Sequence, residues 1–140
     1  MTKTYTERIF ELNAPYDNEY QGKEPRWVFV CSAGILRSPT AARIAGQFGI
    51  NARSCGSSSY ALIPLSVNLI EWADKIVFMM DDNKYNALGT FEILDGYYVE
   101  LINRKSEIWG IPDIYEYMSD PLVKIVVEKL NQYGPIPPRE

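Results

Sequence analysis

Apolar positions in this chain follow two spacings in turn, and the alternation points to the architecture. Arg26-Trp27-Val28-Phe29-Val30 is a continuous run of β-branched and aromatic side chains, the pattern of a central parallel strand covered on both faces. Ser38-Pro39-Thr40 reads as a helix start, with Ser38 as N-cap and Pro39 at the first helical position, and this helix runs to a stop at Gly49. A short strand near residues 51–55 comes next, followed by a Gly/Ser-rich loop over residues 56–59. Pro64 opens a second helix with Leu65, Leu69, Trp72 and Ala73 on one stripe, and Ile76-Val77-Phe78-Met79-Met80 makes a third strand. Ile108-Trp109-Gly110-Ile111 reads as a fourth strand ending at Pro112. Asp120 and Pro121 supply the cap and first position of a last helix, whose Leu122, Val123, Val126, Val127 and Leu130 share one face before Gly134-Pro135 ends it. Residues 82–103 show no clean period: Asp82 is placed to cap a helix, but Gly89 and Gly96 interrupt the pattern.

Strands alternating with helices indicate an α/β domain with a mostly parallel sheet. That domain is assigned to residues 25–140. Residues 1–24 are polar, punctuated by Asn13, Pro15, Asp17, Asn18 and Gly22, and read as an N-terminal extension with Ile9, Phe10, Leu12 and Tyr16 available to dock on the body. At 140 residues, 46% hydrophobic and 23% charged, the chain is long enough for one core and lies in the ordinary globular range. Fourteen basic against 18 acidic residues leave a net charge of −4, which counts against a chain-wide nucleic-acid footprint while leaving a local anion site open. The absence of histidine changes the picture most, because it removes the Ser-His-Asp triad, the Cys-His pair and every zinc site that uses imidazole. Two cysteines, Cys31 and Cys55, are too few for a disulfide framework. With no apolar targeting region after Met1 and no run long enough to span a bilayer, a soluble cytoplasmic protein without membrane partners is expected.

Between the first strand and the first helix lies Cys31-Ser32-Ala33-Gly34-Ile35-Leu36-Arg37-Ser38. A cysteine and an arginine five residues apart arise by chance about once in ten chains of this composition, so spacing alone says little. Position says more. A loop leaving the carboxyl end of a parallel strand and feeding a helix N-terminus is where α/β proteins hold anions, because its amides converge and the helix dipole adds positive charge. Ser32, Ala33 and Gly34 are small enough for a tight loop, and Ile35 and Leu36 complete it. There the amides, the Arg37 guanidinium and the Ser38 hydroxyl would stabilise a Cys31 thiolate without histidine, and the same groups would hold a phosphate with sulfur in line behind phosphorus. A buried structural Cys31 with Arg37 as a surface charge is the plainer alternative.

Expulsion of an alkoxide or phenoxide calls for an acid, and without histidine a carboxyl is the natural one. Asp113, just past the fourth strand, falls on the same carboxyl edge as Cys31. Asp120 is better explained by capping, Asp81 and Asp82 also follow a strand, and a turn role for Asp113 remains open. Tyr115 and Tyr117 are placed to wall the opening or to pack in the core. Arg26, Arg43 and Arg53 are expected to be solvated surface charges rather than contributors of potential near the loop.

The run from Val28-Phe29-Val30-Cys31 through Arg37-Ser38-Pro39-Thr40-Ala41 resembles the low-molecular-weight protein-tyrosine phosphatases. Ala52-Arg53-Ser54-Cys55-Gly56, Glu71-Trp72-Ala73-Asp74 and the segment Ile111-Pro112-Asp113-Ile114-Tyr115-Glu116-Tyr117-Met118 extend the likeness, the last being similar to a bacterial branch of predicted phosphatases. The resemblance covers residues 27–130. It implies a four-stranded parallel sheet in the order 2-1-3-4 with helices on both faces, a phosphorylated substrate, a phosphocysteine mechanism without metal or other cofactor, and Asp113 as the acid. Two positions depart from that pattern. Gly34 stands where these enzymes usually have an asparagine in a left-handed conformation, which keeps the loop shape and loses a supporting hydrogen bond. Leu36 stands where many have a second, protective cysteine, and Cys55 is a substitute only if the fold brings it near. A non-catalytic phosphate- or phosphoprotein-binding module and an arsenate reductase on the same fold are the competing functions, the latter disfavoured by the shortage of relay thiols. A sulfurtransferase loop fits the Arg37-Ser38-Pro39 helix start less well.

Overall fold

A strand covered on both faces needs apolar side chains on both, and β1 (Arg26–Cys31) has them: all six of its residues are buried in the computed structural model, which describes residues 22–94 and 96–139. The docking candidates Ile9, Phe10, Leu12 and Tyr16 lie outside the described residues. β2 (Asn51–Gly56) and β3 (Lys75–Phe78) pair with β1 on either side, and β4 (Ser106–Ile108) pairs with β3. All pairings are parallel, and the order is β2-β1-β3-β4, as the resemblance implied. Trp27, Phe29 and Cys31 point to the face packed by α1 (Arg37–Gln47) and α5 (Asp120–Asn131) through Ala41, Ile44, Leu122 and Val126. Val28 and Val30 point to the face covered by α2 (Val67–Trp72), α3 (Asp81–Phe91) and α4 (Gly96–Lys105). Complete burial of Val28, Phe29 and Val30 stabilises the fold by about 1.5–3 kcal/mol each. Among the described residues no helix is long and apolar enough to cross a membrane.

Several boundaries differ from the sequence expectation. α1 begins at Arg37 with Leu36 in the cap position, so Ser38 is inside the helix and its hydroxyl is free for other partners. The second helix starts not at Pro64 but after Ser66, whose side chain accepts the Leu69 N–H. Pro64 instead forms a parallel bridge with Gly56, as the Gly56 N–H bonds Ile63 O and the Leu65 N–H bonds Gly56 O. The region without a clean period holds two helices, α3 capped from Met80 rather than Asp82, and α4, which runs directly into β4. The fourth strand therefore begins at Ser106, ahead of Ile108. Trp109 and Ile111 still donate to Phe78 O and Met79 O, but Gly110, at φ +73°, breaks the strand geometry between them. At α5 the cap is Ser119, with Asp120 in the first turn.

Candidate active site

Because β1 ends at Cys31 and α1 begins at Arg37, residues 32–36 must turn the chain through a very short path. Gly34 makes this possible with φ +73°. It also leaves room for a neighbour: a Cβ there would lie 2.9 Å from the Cys55 carbonyl carbon. At Gly56 a Cβ would come within 2.5 Å of Ser32 O. The loop after β1 thus rests backbone to backbone on the end of β2, locked by the Ser57 N–H to Cys31 O at 2.8 Å and the Ser58 N–H to Ser32 O at 3.0 Å.

The Cys31 sulfur, on a residue 3% exposed, receives the Gly34 N–H at 3.3 Å and lies 3.1 Å from Ser38 Oγ. Ser38 Oγ is also 3.2 Å from Cys55 O, to which it donates. A hydroxyl has one hydrogen, so a thiolate at position 31 would draw it from the carbonyl to the sulfur. Arg37 is equally buried. Its Nη1 donates to Ile111 O at 2.8 Å, while Nε, without a hydrogen-bond partner, is 3.6 Å from Asp113 Oδ1, an ion pair too long for a hydrogen bond. Asp113 is largely exposed, its side chain being 64% accessible.

The fold therefore brings Cys31, Gly34, Arg37, Ser38 and Asp113 to one end of the sheet. Ile35 and Leu36 are exposed, and Ser32 and Ala33 are half-buried. Asp120 and the pair Asp81 and Asp82 occupy first turns of helices, where carboxylates complement the dipole. Tyr115 packs against the core, and the Tyr117 hydroxyl accepts from Arg43 Nη1 at 3.2 Å. Arg26 corrects the expectation of a surface charge: it is 4% exposed and stacks on the Trp72 ring. Arg53 also stacks on Trp72 and bonds Asn51 Oδ1, and Arg26 lies at the opposite end of β1 from Cys31.

No protein-family model matches the chain, and none of the curated protein sequences does. Solved structures do. Wzb of Vibrio vulnificus, in complex with benzylphosphonate, superposes at TM-score 0.59 with 15% identity, covering 79% of this chain and 97% of that one. The low-molecular-weight protein tyrosine phosphatase SP-PTP of Streptococcus pyogenes gives TM-score 0.58 at 17% identity over 77% and 92%. The arginine phosphatase YwlE of Geobacillus stearothermophilus gives 0.53 at 19% over 78% and 94%. The chain has the low-molecular-weight protein tyrosine phosphatase fold.

Within this phosphatase fold the loop after β1 touches the Cys55 backbone, but the Cys55 side chain turns away from it. Its side chain is fully buried beside Val30, on the sheet face opposite Cys31, and both cysteines are free. Burial, with a smaller contribution from Cys31, pushes the Cys55 thiol far above its ordinary range, so it stays protonated and inert. A residue that sequence reasoning passed over lies closer to the loop. Asn83, in the first turn of α3, is fully buried, accepts the Met80 N–H at 3.1 Å and donates to Ser32 Oγ at 3.0 Å and Ser57 Oγ at 3.4 Å. Its signal was present in Asp81-Asp82-Asn83 following a strand at the carboxyl edge, where only the two carboxylates drew notice.

Proposed function

We propose that this protein is a cysteine-dependent phosphomonoester hydrolase of the protein-tyrosine-phosphatase type, acting through a phosphocysteine. The observation that carries this reading is the pairing of a sulfur that accepts the Gly34 N–H and faces the Ser38 hydroxyl with a buried guanidinium whose Nε has no hydrogen-bond partner. A buried cation with an unused donor suits an arriving dianion, and a sulfur at the floor of the same loop suits attack on it.

In the first step the Cys31 thiolate attacks phosphorus. The S–P bond forms as the bond to the ester oxygen breaks, and Asp113 gives its proton to the leaving oxygen. In the second step Asp113, now a carboxylate, takes a proton from water as water attacks the phosphocysteine, releasing phosphate and restoring the thiolate. Arg37 and the loop amides stabilise the equatorial oxygens in both transition states. A phosphate in the guanidinium fork would compete with the 3.6 Å Arg37–Asp113 contact, leaving the Asp113 carboxyl for the leaving group. Nucleophile, electrostatic stabiliser and acid all come from the chain's own side chains and loop amides, so the scheme draws on no metal or cofactor. The substrate is a phosphorylated molecule, a phosphotyrosine protein or small aryl phosphate, and the benzylphosphonate bound to the Vibrio vulnificus protein is in keeping with that class.

The test is hydrolysis of an aryl phosphate in the presence of a chelator by the wild type, Cys31→Ser and Asp113→Asn. Abolished turnover in the first variant and reduced turnover in the second are expected. Equal rates for all three contradict the assignment.

A further inference from the structure

We infer that Asn83 is a positioning residue for the phosphate-binding loop, holding Ser32 so that the loop fits the transition state; the inference rests on the phosphatase reading of Cys31. Of residues 32–36, Ser-Ala-Gly-Ile-Leu, only Ser32 has a polar side chain, and Gly34 has no room for one. The loop therefore cannot brace itself through side chains and must be held from outside.

Asn83 supplies that hold from a different element. Its Oδ1 completes the capping of α3 through the Met80 N–H, a task for which the carbonyl half of the amide suffices. The other half does something a cap does not require: Nδ2 reaches Ser32 Oγ in the loop after β1 and Ser57 Oγ in the loop after β2. One planar amide thereby ties together the exits of three adjacent strands, β1, β2 and β3, next to the cysteine. Burying an amide is costly unless its hydrogen bonds are made, and here both its oxygen and its nitrogen are used, so the three exits are held in one relative placement. Displacements well under an ångström matter for a loop whose amides must meet the equatorial oxygens of a trigonal bipyramid, but less for one that holds a tetrahedral phosphate.

The experiment measures binding of inorganic phosphate, a ground-state mimic, and of vanadate, which adopts the five-coordinate geometry on a thiolate, to the wild type, Ser32→Ala, Asn83→Ala and the double variant. Ser32→Ala leaves the α3 cap intact, so it carries the test even if Asn83→Ala is poorly folded. Each single variant is expected to weaken vanadate by about 10- to 100-fold and phosphate by less than about threefold. The double variant should bind vanadate no worse than Asn83→Ala alone, because Ser32→Ala cuts a tie that Asn83→Ala has already cut. An unchanged ratio of vanadate to phosphate affinity, with only the melting temperature lowered, overturns the inference, as do single effects that multiply in the double variant. A wild type that binds neither ion overturns the phosphatase reading itself, an outcome distinct from both.

Discussion

Residues 31–38 and residues 111–119 approach each other across Arg37, and they are built in opposite ways. The first segment is short and pressed onto the end of β2 by backbone contacts at Gly34 and Gly56, with Cys31, Arg37 and Ser38 almost wholly out of solvent. The second is mostly exposed, Asp113 and Ile114 included, and is held at a few points: Ile111 O on Arg37, the Met118 N–H on Thr40 Oγ1, and Tyr117 on Arg43. Thr40 joins the two, since its hydroxyl also donates to Leu36 O at 2.8 Å. In the proposed mechanism the groups that would stabilise charge in every step are in the buried floor, and the group that would exchange a proton with a leaving oxygen and then with water is in the segment that solvent reaches.

This contrast predicts how variants separate. The largest loss after removal of the sulfur belongs to the floor: Arg37→Lys should cost about 10²- to 10³-fold in kcat/KM, because an ammonium cannot reproduce the fork that serves Ile111 O and an anion together. That loss should be the same for esters of good and poor leaving groups. Asp113→Asn should cost about 10²-fold or more with a poor leaving group and far less with a p-nitrophenyl ester, whose phenoxide needs little protonation. Steady-state kinetics over a series of aryl phosphates checks both, and a leaving-group dependence in Arg37→Lys, or none in Asp113→Asn, breaks the division of labour.

Gly34→Ala sharpens the comparison from the side of packing. Its methyl group would meet the Cys55 backbone at a positive φ, so thermal or denaturant unfolding should show a loss of about 1–3 kcal/mol, with activity falling alongside. The smallest effect concerns Cys55. Its thiol holds its proton in the folded state through the pH range where the unfolded chain loses it, so the unfolded state binds fewer protons there and stability falls as pH rises past the ordinary thiol range. Cys55→Ala should remove this alkaline decline, cost about 1 kcal/mol at neutral pH and leave turnover unchanged, as denaturant melts at several pH values will report. Loss of turnover would instead give Cys55 a role that its place across the sheet does not suggest.

Legibility in the sequence followed the length of the interactions involved. β1 and the loop after it were readable because a continuous apolar run and a strand-to-helix turn are local patterns, and the parallel architecture followed from the alternation. What was misread depended on partners far along the chain. Ser38 has the composition of a cap, yet its hydroxyl is used by Cys31 and Cys55. Pro64 has the composition of a helix start, yet it pairs with Gly56. Asn83 is 51 residues from Ser32, a distance no periodicity spans. Arg26 reads as a surface charge in the sequence because its burial against Trp72 is likewise a tertiary fact.

The central claim is that the Cys31 sulfur becomes covalently bound to phosphorus. Acid quenching of Asp113→Ala during turnover of an aryl phosphate, followed by mass spectrometry of the Cys31 peptide, tests it most directly. The account predicts a phosphoryl group on Cys31 that is absent from Cys31→Ser treated in the same way. Hydrolysis that proceeds with Cys31 unmodified, or with the phosphoryl group on another residue, would contradict it.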